Sequence, residues 1–121
     1  MVLFAPVTKE KTPTKYPEWK KEMEEKGFIL IEKDGKNFKI PKEYIKERES
    51  VNQKELLSKV MCPVLIIHGT EDDSVPLEHS GEAMQYLSKK SKLKIIKGAG
   101  HKLDIIHGID KLALAWFKKH L

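Results

Sequence analysis

Pro63-Val64-Leu65-Ile66-Ile67-His68-Gly69-Thr70-Glu71-Asp72-Asp73-Ser74-Val75-Pro76 sets the fold class of this 121-residue chain. Residues 63–67 are an unbroken apolar run, which predicts a strand covered on both faces, as in a parallel sheet. The chain then turns abruptly polar. Gly69 permits an unusual backbone turn, Glu71, Asp72 and Asp73 set three carboxylates in a row, and Val75-Pro76 leads into a helix expected near 78–89. A second apolar strand, Leu93-Lys94-Ile95-Ile96, runs into a glycine-rich loop, Gly98-Ala99-Gly100-His101. The last helix is expected over about 108–120. Its Ile109, Leu112, Ala113, Trp116 and Phe117 recur at helical spacing, a stripe suited to packing on a sheet face. Strand, loop and helix, twice over, predict an α/β fold of parallel strands with flanking helices and right-handed crossovers.

Upstream the grammar differs. Residues 2–5 read as a short buried strand that Pro6 terminates, and 8–15 as a loop of Lys, Thr and Pro. A helix is expected over 16–26, with Pro17 in its first turn and Gly27 as its stop signal. Residues 28–33 and 36–40 flank Asp34-Gly35, a dipeptide that suits a type I′ hairpin turn. One or two short helices fill 41–60, with Pro41 at a helix start. The expected division is a sheet-and-helix core at about 1–8 and 61–121, interrupted by a charged helix-and-hairpin insertion at about 9–60.

Composition narrows the function classes. Apolar residues make up 40% of the chain and charged residues 34%, and the apolar ones come in patterned blocks, which argues for a packed core rather than disorder. The net charge is +5, yet Arg48 is the single arginine and the lysines alternate with glutamates, as in Lys20-Lys21-Glu22-Met23-Glu24-Glu25-Lys26. Specific phosphate and base recognition leans on the planar fork of arginine. The pattern therefore reads as a solvated helix face, and no nucleic-acid partner is expected. One cysteine, Cys62, excludes an internal disulfide and fits a reducing compartment; next to a strand, it is expected to be a small buried apolar group. No stretch approaches the roughly 18 apolar residues of a membrane span, and 1–7 is too short and lacks the basic flank of a signal segment. A cytoplasmic location is the expectation.

In open α/β sheets, functional groups gather beyond the carboxyl ends of the strands. Both polar loops lie there. A carboxylate on one and a histidine on the next are the pair needed to orient an imidazole and stabilise its cation. Either alone has an ordinary explanation, since Asp is common in turns and a histidine after glycine is often simply solvated.

His68-Gly69-x-x-Asp72-x-x-Val75-Pro76 followed by Gly98-Ala99-Gly100-His101 resembles the acid and histidine loops of the α/β-hydrolase superfamily. The resemblance is greatest to small esterases of the feruloyl or cinnamoyl type and to serine aminopeptidase-like members. Val2 to Ala5 with Pro6-Val7 resembles the strand after the nucleophile helix, and Trp19 through Glu55 resembles the compact cap inserted next. The resemblance implies that Asp72 is the triad acid, with Asp73 and Glu71 as alternatives, and that His101 is the base, with His107 as its rival. His79 and His120 are expected at the surface, and His68 is expected to pack or hydrogen-bond. It further implies that the cap aromatics Trp19, Phe28, Phe38 and Tyr44 either cover a substrate pocket or form the cap's own small core.

One element departs from that pattern. The nucleophile of such hydrolases sits on a Gly-x-Ser-x-Gly elbow ahead of the acid in the chain. Ser50, Ser58, Ser74, Ser80, Ser88 and Ser91 are the only serines, and none lies between two such glycines. The elbow and its oxyanion hole would precede Met1. The resemblance therefore implies the C-terminal half of a hydrolase acting on a small ester or amide substrate, with no metal or organic cofactor. The serine would lie outside these residues, in a separate N-terminal half or in the missing part of a truncated frame, the alternative being a decayed, inactive fragment that serves as an interaction module. In all three cases a sheet edge along 2–5 would be open to a partner or to self-association.

Overall fold

The computed structural model describes residues 1–9 and 17–121. The loop expected at 8–15 and the start of the helix expected at 16 therefore fall largely outside the described residues. The chain divides into two compact units, one of Met1–Lys9 with Gln53–Leu121, the other running from 10 to 52.

The first unit is built on a parallel sheet. β1 (Val2–Phe4), β4 (Leu65–Gly69) and β5 (Lys92–Ile96) lie in the order β1-β4-β5. Val2 pairs with Leu65 and Phe4 with Ile67, while Leu65 pairs with Lys92 and Gly69 with Ile96. Every residue of β4 is buried. Its period-2 alternation explains why the apolar run has no polar face. Leu65 and Ile67 point to one side, with Ala5, Ala99, Leu103, Ile109 and Trp116; Val64 and Ile66 point to the other, with Ala83 and Leu87. Full burial of one such aliphatic side chain stabilises by roughly 1.5–3 kcal/mol, so the central strand anchors both layers.

α5 (Ile109–His120) covers the first side. Ile109 and Trp116 are buried and Leu112 packs beside them, whereas Phe117 is exposed at the margin of the expected stripe. α4 (Leu77–Ala83) lies on the other side, joined by Leu57 near the end of α3 (Gln53–Ser58) and by Val60. α4 is shorter than the helix expected over 78–89. After Ala83 the backbone tightens to i→i−3 bonds, from Gln85 N to Glu82 O and from Tyr86 N to Ala83 O. A segment after β1 is fastened to α4: Thr8 Oγ1 donates to His79 O at 2.7 Å, and Lys9 Nζ pairs with Glu82 at 2.6 Å. His79 is thus buried rather than at the surface.

Two further expectations change. β4 begins at Leu65, which leaves Cys62 in the approach to the strand, exposed rather than buried. His120 is not a free surface residue either: its ring stacks on Trp116 with centroids 4.1 Å apart, and among the described residues its Nε2 and Trp116 Nε1 are buried without a partner.

The second unit is a helix, a hairpin and a helix: α1 (Pro17–Lys26), β2 (Phe28–Lys33), β3 (Lys36–Pro41) and α2 (Lys42–Ser50). Asp34 and Gly35 both have positive φ, 53° and 71°, as a type I′ turn demands. Among the described residues, Met23 of α1 and Ile29 of β2 are its buried ones. The aromatics do not make that core. Phe38 and Tyr44 are exposed, Trp19 and Phe28 are half-buried, and Lys39 Nζ sits 3.9 Å over the Phe28 ring. Among the described residues, no helix is long and apolar enough to cross a membrane.

Candidate active site

β4 and β5 run parallel, so the segments leaving their carboxyl ends emerge side by side. Three hydrogen bonds join them: Thr70 N donates to Ile96 O at 3.1 Å, Glu71 N to Ala99 O at 2.9 Å, and Gly98 N to Thr70 Oγ1 at 2.9 Å. Such closeness requires glycine at position 69. A Cβ there would run into the carbonyl of Ala99, and no rotamer change could relieve a clash with backbone. Gly98 meets a separate demand, with φ of 75°.

Asp72 is held by its own turn. Its Oδ1 accepts the N–H of Ser74 at 2.9 Å and of Val75 at 2.7 Å, the local closure that Asp favours after a strand. Its other oxygen, Oδ2, lies 2.9 Å from His101 Nδ1. The carboxylate is fully enclosed, while the His101 side chain is 45% exposed. Burial pushes the acid's pKa up, but the N–H groups of Val75, His101 and Ser74 overcome that and hold Asp72 below its ordinary value of 3.8. Asp72 is therefore ionised across the neutral range. A carboxylate against Nδ1 fixes the proton on that nitrogen and leaves Nε2 with a lone pair directed elsewhere, the state of an imidazole able to accept a proton from a hydroxyl.

Of the three adjacent acids, Asp72 is the one brought to His101. Asp73 is exposed and accepts from the Ser74 hydroxyl at 3.2 Å. Glu71 is exposed, its backbone engaged with Ala99. The rival histidine, His107, is exposed in the turn that leads into α5. Beyond the expected pair lies a third member: His68 Nε2 sits 3.2 Å from the same Asp72 Oδ2 and 2.8 Å from Val75 O, and its Nδ1 is 2.6 Å from Ser80 Oγ. The placement of His68 at a strand end hinted at a hydrogen bond; nothing in the sequence pointed to Ser80. Among the described residues, no group of three or more His, Cys, Asp or Glu side chains is arranged to hold a metal ion.

Residues 16–121 match the prolyl oligopeptidase family. Among solved structures, a protein from Agrobacterium vitis described as a hydrolase superposes on all of this chain with a TM-score of 0.76 and 21% identity. The mouse α/β hydrolase domain-containing protein 10 matches 98% of the chain, with a TM-score of 0.66 and 25% identity. The esterase Est1E from Butyrivibrio proteoclasticus, with ferulic acid bound, matches 77% of it, with a TM-score of 0.63 and 26% identity. The chain spans 49%, 50% and 36% of those proteins respectively. Parallel strands with flanking helices, superposed in this way, form the C-terminal part of an α/β-hydrolase fold.

Proposed function

The chain belongs to the prolyl oligopeptidase family, and from that premise we propose that it supplies the acid and the base of a serine hydrolase triad, Asp72 and His101. The observation that carries this reading is the 2.9 Å contact between Asp72 Oδ2 and His101 Nδ1, made by two loops that the backbone ties together. The nucleophilic serine comes from polypeptide outside these 121 residues, either covalently continuous or a separate chain. The outer edge of β1, unpaired among the described residues, is where a further strand of the sheet adds.

In the assembled enzyme, His101 Nε2 takes the serine proton as the oxygen attacks an ester or amide carbonyl. Asp72 keeps the imidazole in the required tautomer and stabilises the cation that forms. His101 then returns the proton to the leaving group. In the second half-reaction it activates water, which releases the acyl group from the serine. Likeness to an esterase that binds ferulic acid favours a small aromatic or alkyl ester as the first substrate to try.

The test is p-nitrophenyl ester hydrolysis. The chain by itself is expected to be inert. Combined with a serine-bearing front half it is expected to turn over, and His101→Ala should lower that rate by roughly 10²–10⁴-fold. Turnover that His101→Ala leaves untouched would remove His101 from the chemistry.

A further inference from the structure

We propose that His68 is a positioning residue for Asp72, a role that rests on the Asp72–His101 pairing above and adds a buried, hydrogen-bonded ring behind it. His68 lies near the end of the central strand with its side chain fully enclosed. A polar ring in so apolar a strand is unfavourable unless both nitrogens are satisfied. Both are. Nε2 meets the Val75 carbonyl at 2.8 Å, with Asp72 Oδ2 3.2 Å away, so that nitrogen carries the hydrogen and donates it to Val75 O. Nδ1 is then bare and receives the hydroxyl of Ser80 at 2.6 Å, which fixes the plane of the ring.

The consequence for the acid follows from counting its anchors. Oδ1 is fixed by the Ser74 and Val75 amides, but those bonds alone leave the carboxylate able to turn about them. The donor on Oδ2 is His101, whose side chain is 45% exposed and lacks the packing that would hold a partner still. The buried His68 ring lies 3.2 Å from that oxygen and holds Val75 O, and the Val75 amide in turn holds Oδ1. Asp72 is thereby oriented before His101 settles against it, and the base inherits that orientation. Ser80, His68, Asp72 and His101 form one continuous chain of contacts from α4 to the site.

Two substitutions separate this role from mere packing. The amide nitrogen of glutamine reaches where imidazole Nε2 lies, and that of asparagine reaches where Nδ1 lies. His68→Gln keeps the donor to Val75 O beside Asp72; His68→Asn keeps only the contact to Ser80. The readout is the His101 Nδ1–H proton in NMR spectra of the ¹⁵N-histidine-labelled 121-residue chain, with melting temperature recorded alongside. The signal is expected to persist at its wild-type position in His68→Gln and to be lost or displaced in His68→Asn. A purely structural His68 would lower both melting temperatures and leave the two spectra alike, and that result overturns the proposal. Wild-type spectra test it without any variant: His68 protonated at Nε2 and bare at Nδ1 supports it, and the opposite tautomer overturns it. If the wild-type chain shows no His101 signal that Asp72→Asn abolishes, the Asp72–His101 pairing itself falls as well. A signal present but identical in His68→Gln and His68→Asn removes only the role of His68.

Discussion

The amide of Glu71 donates to the carbonyl of Ala99 across 2.9 Å, and this bond brings the acid-bearing and histidine-bearing loops together. Asp72 and His101 are neighbours because the residues beside them are stapled. Gly69 is the position on which that closeness depends.

Gly69→Ala is therefore expected to act on the site as well as on stability. The added methyl meets backbone, so the loops must separate, at a loss of about 1–3 kcal/mol. Urea titration reads the stability change, and the His101 Nδ1–H signal should disappear with it. A variant as stable as wild type with an unchanged signal would show that the staple is not needed.

Asp72→Asn should destabilise the chain by roughly 1–3 kcal/mol at neutral pH, because the amide nitrogen would face the N–H donor of His101. The pH dependence has a definite sign. Asp72 titrates below its ordinary 3.8, so its contribution is complete above that value and is lost as pH falls through the lower, folded one. The gap in melting temperature between the wild type and Asp72→Asn should thus narrow in the acid limb below 3.8. A gap that widens there would contradict the ionised, hydrogen-bonded carboxylate.

His120 gives the opposite arrangement. Burial first, then the charges of Lys119, the N-terminus, Lys90 and Lys92, lower its pKa from 6.5. The folded state thus favours the neutral ring, and stability declines as pH drops from 6.5 toward the folded value. Melting curves from about pH 8 to about 5 should show that decline in the wild type and a flatter profile in His120→Phe, which keeps the stack on Trp116. Equal slopes would mean that the ring is solvated.

Core and surface aliphatics on neighbouring strands should separate cleanly. Ile66, fully buried in β4, is expected to lose about 2–5 kcal/mol on substitution by Ala. Ile95 of β5 is 47% exposed, and Ile95→Ala should stay within about 0.5 kcal/mol of wild type. Chemical denaturation of the two variants makes the comparison.

Much of this was readable in the chain itself, for physical reasons that differ by element. The run at 63–67 has apolar residues on both parities, and a strand buried on both faces is what such a run requires. The structure shifts the strand to Leu65–Gly69, a boundary the run could not mark because Pro63 and Val64 are also apolar. Asp34-Gly35 specified its turn through two positive φ values. The loop glycines were legible, since close backbone approach leaves room for little else. What the sequence hid is burial conferred by distant segments. His79 is covered through Thr8, 71 residues away, and His120 through its stack on Trp116. No local pattern announces such contacts. Ser80 stayed hidden for the same reason: a serine on a helix becomes a partner of His68 only once α4 is laid against β4.

The burial of β4 on both faces also fixes an order of events. Amides at the middle of a sheet, with a packed layer above and below, exchange with solvent only when the whole unit opens. Slow deuterium uptake should therefore run from Leu65 to Gly69 and stop where the polar loop begins. Asp72 hangs three residues beyond the most persistent part of the molecule, on a footing that should outlast the exposed histidine it serves.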